Sequence, residues 1–93
     1  MKISKENKVF LEGLIEYYIS EAQSYREMAQ EYSLKIDSVP DTTFGIIIGC
    51  IYSSFLQTYS NQKLTPTVQD VQEFTEIIMM KSNAIMDSIK KQK

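Results

Sequence analysis

A chain of 93 residues has room for one domain, and a domain that size buries only about two-thirds of its unfolded surface, which leaves a thin core. Its 3 glycines and 2 prolines are too few for the turns that a β-sandwich or barrel needs every ~8–12 residues, so a few long helices are expected. The net charge of −2 gives no electrostatic case for a nucleic-acid partner, the lack of histidine removes His-activated nucleophiles and His-ligated zinc, and the single cysteine, Cys50, cannot form an internal disulfide.

Three segments emerge, divided near Pro40 and Pro66, and their charges differ. Residues 1–40 hold 5 basic and 7 acidic side chains, residues 41–62 hold one acid and no base, and residues 63–93 hold 5 basic and 4 acidic side chains. The N-terminal stretch has lysines but no apolar run or small-residue cleavage site, so no signal peptide is expected and the default location is the cytoplasm.

In the first segment, alternating steps of four and three pick out Leu11, Ile15, Tyr18, Ala22, Tyr25, Ala29, Tyr32 and Ile36. All eight are apolar or aromatic, the pattern of a long helix with a narrow seam. A single helix is expected over about 4–36, roughly 50 Å at 1.5 Å per residue. Tyrosines and alanines alternate along its seam, so a neighbouring helix could come close at Ala22 and Ala29. Pro40 is expected to stop this helix, with Asp41, Thr42 and Thr43 as N-cap candidates for the next.

The second helix is expected over about 42–60. Phe44, Ile48, Ile51, Phe55 and Tyr59 follow helical spacing, while Ile46, Ile47, Cys50, Tyr52 and Leu56 carry apolar surface around most of the circumference. The compact apolar core, residues 44–56, is too short for the ~20 residues of a membrane span, and the segment also carries Ser53, Ser54, Gln57 and Thr58, so none is expected. The third helix is expected over about 66–90. Thr65 with Pro66 is one start signal, and Thr67 with Asp70 is a competing capping box. Its apolar face is Val71, Phe74, Ile78, Ile85 and Ile89.

These elements predict an all-α, up-down-up three-helix bundle with a long first helix, completed by homodimerisation. Three features motivate the second copy. The middle helix is apolar over more surface than two neighbours cover. Gly45, Gly49 and Ser53 recur every fourth residue and form a ridge of small side chains suited to close helix contact. The first helix also overhangs the second by about four turns. The expected interface is Gly45, Gly49, Ser53, Ile46 and Tyr52 on the second helix, and Tyr18, Tyr25, Tyr32, Ala22 and Ala29 on the first. The tyrosine–alanine seam is the expected recognition surface for a helical partner.

Same-face acidic pairs, Glu12/Glu16, Glu27/Glu31 and Glu73/Glu76, are the kind that could hold Mg²⁺ or Mn²⁺ in an all-α phosphohydrolase. They lie on polar faces and are read as solvated surface. Cys50, among isoleucines with no base nearby, is read as a buried, inert thiol. The lysines at 2, 5 and 8 and at 90, 91 and 93 are read as solvated helix ends. There is no phosphate-binding glycine loop, Cys-x-x-Cys pair or nucleophile elbow, and no motif ties the chain to a family. The expected function is a non-enzymatic interaction or scaffold protein, with no catalytic residue, metal or cofactor assigned. The metal-dependent hydrolase, and a small regulatory or immunity-type protein that blocks a partner, are the alternatives.

Overall fold

The structure is a computed structural model that describes residues 3–91; Lys2 and Lys93 lie outside the described residues. The described residues are all-helical, with four α-helices in a compact globule. They are α1 (Lys5–Ser20), α2 (Ala22–Gln30), α3 (Val39–Asn61) and α4 (Val68–Lys90), with a short 3-10 turn at Ser33–Lys35 between α2 and α3. No strand occurs among the described residues.

The single helix expected over 4–36 is two helices. Ser4 caps α1, its hydroxyl accepting the Asn7 N–H at 3.1 Å. At Glu21 the backbone leaves helical geometry (φ −103°, ψ 15°). Just before it, the Ser20 hydroxyl donates to the Tyr17 carbonyl at 2.7 Å, and just after it the Ser24 N–H bonds the Glu21 carbonyl, a three-residue step. Such side-chain and short-step bonds divert the regular ladder and kink a helix. The helix then stops at Gln30, and Ile36 is fully extended. With the first rod ending there, its length matches the 23 residues of α3 and of α4. The molecule measures 40 × 22 × 18 Å, shorter than the 50 Å rod expected. The four-turn overhang is therefore absent, and the length argument for a second copy falls with it.

Helix α3 starts earlier than expected. Ser38 is its N-cap, accepting the Asp41 N–H, and Val39 and Pro40 form its first turn. Proline lacks only an N–H that the first turn leaves unbonded, so Pro40 opens the helix rather than blocking it. At the other end the Lys63 N–H bonds the Ser60 carbonyl and the Leu64 N–H bonds the Tyr59 carbonyl, the double closure of a Schellman motif. Lys63 occupies the left-handed position usually given to glycine (φ 60°). Of the two start signals for α4, the capping box is the one used. Thr67 and Asp70 exchange backbone–side-chain bonds at 2.9 and 3.0 Å.

Long-range bonds set the directions. The Ile3 N–H donates to Glu73 at 2.9 Å and Lys8 pairs with Glu73 at 2.6 Å, which joins the start of α1 to the start of α4. Arg26 of α2 donates to the Ile89 carbonyl at the end of α4 at 2.8 Å. Asn7 and Gln62 exchange two amide bonds at 3.1 and 2.9 Å, joining the start of α1 to the end of α3. Thus α1, α2 and α4 run one way and α3 runs back against all of them.

The core draws on all four helices: Leu11 and Ile15, Ala22 and Ala29, Ile47, Ile51 and Phe55, and Phe74, Ile85 and Ile89. Phe55 lies against Phe74 with ring centroids 4.8 Å apart and against Tyr59 at 5.0 Å, aromatic contacts worth about 0.5–1.5 kcal/mol beyond their area. Thr43, fully buried, donates its hydroxyl to the Val39 carbonyl at 2.7 Å. Among the described residues no buried side-chain nitrogen or oxygen lacks a partner.

Two substitutions test this packing. Phe55→Ala should lose about 3–5 kcal/mol, measured by urea unfolding, because the cavity opens where three rings meet. Lys63→Gly should gain about 1 kcal/mol by relieving the left-handed backbone, raising the melting temperature by about 4–8 °C for a domain this size.

Candidate functional site

Every fourth residue of α3 from Thr43 to Tyr59 is buried, and the residues on the far side of the helix form its outward ridge. Gly45, Gly49 and Ser53 lie along that ridge and are exposed. Beyond the helix's own neighbouring backbone, a Cβ added at Gly45 or Gly49 would meet no atom of the described residues within 4 Å. The glycines therefore accommodate no other helix of the same chain. Ile46, Ile48, Cys50, Tyr52 and Leu56 flank the ridge and are half-buried. Tyr52 is anchored on Phe74 at 5.1 Å between ring centroids. Cys50 is thus half-buried, where full burial was expected. Two of the six residues in 46–48 and 50–52, Ile47 and Ile51, are sealed off, and the other four keep solvent-facing surface.

The ten residues expected to form the interface separate in space. Gly45, Gly49, Ser53, Ile46 and Tyr52 stay together on the outer side of α3. Ala22 and Ala29 have no exposed surface, so the expectation that the seam is open to a partner fails at its alanines. Tyr18 and Tyr25 are half-buried and in contact, with centroids 5.3 Å apart. Burial raises the Tyr18 pKa above its ordinary value, helped by Tyr25 and Cys50 nearby. Tyr32, past the end of α2, is exposed.

One polar cluster had no sequence signal. At the end of the molecule where α1 begins, Asn7, Tyr59, Gln62, Asp70 and Glu73 converge from α1, the end of α3 and the start of α4. Asn7 and Asp70 are buried although their residue types are usually exposed. The Tyr59 hydroxyl lies in this cluster close to the Asp70 carboxylate. Burial raises its pKa most, the Asp70 carboxylate adds to that, and a bond from Asn7 opposes it. The cluster's groups satisfy one another, so its evident work is joining three segments.

Other features offer less. An open depression of about 540 Å³ follows the first turns of α4, and Glu76 is the one ionisable residue lining it. No group of three or more His, Cys, Asp or Glu side chains gathers among the described residues. Helix α3 is the one described helix long and apolar enough to cross a membrane, with a mean hydropathy of 1.3 over an 18-residue window. Comparison with protein-family models, with curated proteins and with solved structures returned no match.

The two perturbed tyrosines give a pH prediction with a definite sign. Their raised pKa values mean that the unfolded chain loses these protons first, from about pH 10. Their contribution is fully present below that pH and is lost as pH rises through the folded-state values. Stability measured by urea unfolding should therefore fall above about pH 10, with a shallower fall in Tyr59→Phe.

Proposed function

We propose that the chain is a non-enzymatic helical interaction protein that self-associates through the outer ridge of α3. Its protomer is an up-down-up three-helix bundle in which α1 and α2 act as one kinked rod. The observation that carries this reading is the open space at Gly45 and Gly49. A glycine inside a helix costs about 1 kcal/mol relative to alanine. Nothing within the chain offsets that cost at these two positions, and close approach of a second backbone does so directly.

The flanking residues supply the remaining area. A stable interface buries about 800 Å² on each partner, and the chain exposes 6218 Å². The ridge alone is too narrow, so Ile46 and Tyr52 on either side belong to the contact. A soluble assembly fits α3 better than a membrane span does. Its buried line is taken up within the chain, and Ser53, Gln57 and Ser60 face outward.

Light scattering coupled to size exclusion should give twice the 10.8 kDa chain mass for the natural sequence at micromolar concentration. The double variant Gly45→Ala, Gly49→Ala should run as a monomer with a higher melting temperature when dilute, since alanine favours the isolated helix by about 1 kcal/mol per site. A monomeric natural chain, or a variant that stays dimeric, overturns the reading.

A further inference from the structure

The outward side of α1 carries a second unpartnered face. Val9, Phe10 and Tyr17 are 60%, 44% and 53% exposed. Val9, Gly13 and Tyr17 follow one another every fourth residue, so they line up along that side. Gly13 makes a notch between the two larger side chains, and a Cβ placed there would meet nothing within 4 Å. Glu6, Glu12 and Glu16 are exposed around the same line. Among the described residues of α1, Lys5 is the base exposed with them, while Lys8 is turned to Glu73.

The charge decides between occupants. A two-fold contact between copies sets the same patch against itself. Here that would bring the three carboxylates of one protomer up to those of the other, which is unfavourable. A cationic surface has the opposite sign and meets the rim well.

We propose that this face of α1 docks a basic amphipathic helix of another protein. An apolar side chain of that helix enters the notch at Gly13 between Val9 and Tyr17. Its lysines or arginines pair with Glu6, Glu12 and Glu16, and the Tyr17 ring offers its face to one of them. The proposal rests on the helix-contact reading above and names the chemistry of one partner.

The test titrates the ¹⁵N-labelled full chain with a synthetic amphipathic leucine–lysine peptide and follows amide shifts by NMR. A leucine–glutamate peptide of the same pattern is the control. Shifts should centre on Val9 to Tyr17 and weaken with salt, and the control should not bind. Gly13→Leu should reduce affinity by about tenfold or more, equivalent to about 1.4 kcal/mol, with Gly13→Ala as the milder variant. Glu12→Gln with Glu16→Gln should weaken binding while Glu76→Gln leaves it unchanged. Circular dichroism checks that each variant stays helical. Absence of binding, shifts centred on Gly45 to Ser53, or affinity indifferent to Gly13→Leu overturns the proposal. The α3 double alanine variant should still bind the peptide, and Gly13→Leu should leave the scattering mass unchanged, so the two readings fail separately.

Discussion

A single line of side chains on α3 organises the molecule. Thr43, Ile47, Ile51, Phe55 and Tyr59 are spaced every fourth residue and all lie in the interior. A step of four overshoots one helical turn by about 40°, so this line winds across the helix rather than running along it. The winding lets one helix serve neighbours on different sides. Its C-terminal members reach the start of α4, where Phe55 meets Phe74 and Tyr59 meets Asp70. Its far side is left to solvent, and the glycine ridge lies there because the wound line fixes where the outside is.

Apolar packing of this kind tolerates sliding, and the polar cluster at the start of α1 does not. Asn7 and Gln62 exchange two amide bonds and Asp70 is bonded to the backbone of Thr67, with the Tyr59 hydroxyl close to both Asn7 and Asp70, while Glu73 takes both the Ile3 N–H and the Lys8 ammonium. These groups come from three segments. A shift of either helix by one turn would strand buried polar groups, each at about 1–3 kcal/mol. At the opposite end Arg26 ties α2 to the last turn of α4. With both ends held, the direction and register of the rods are specified by a handful of bonds that add little to net stability.

The legible part of the fold was the part written in apolar spacing. Leu11, Ile15, Ala22 and Ala29 on the first rod, and Phe74, Ile78, Ile85 and Ile89 on the last, face inward as their spacing requires. The break at Glu21 was not legible, because the seam positions continue on both sides of it. A one-residue irregularity in backbone bonding leaves the spacing of buried side chains almost unchanged. Pro40 misled for a related reason: its clash with the preceding residue argues for a boundary, but the boundary falls at Ser38, where the hydroxyl could cap. Asn7, Gln62 and Glu73 look like ordinary surface residues in the sequence, and only the meeting of three distant segments makes them a cluster. The ridge on α3 was visible as a pattern, whereas its open surroundings required coordinates.

All three glycines of the chain sit inside helices, none has a positive φ, and none has a neighbour within 4 Å of where its Cβ would be. Neither turn geometry nor internal packing therefore accounts for them. At about 1 kcal/mol each, they consume a large part of the roughly 5–15 kcal/mol that a folded domain has in total. A thin-cored chain could gain that stability by three alanine substitutions without disturbing a single internal contact. The proposed helix contacts, at Gly45 and Gly49 on one face and at Gly13 on another, are a reading under which forgoing this gain has a purpose. On that proposal the same positions set stability against association, and the tension is local because each glycine lies on an outward face that the core does not use.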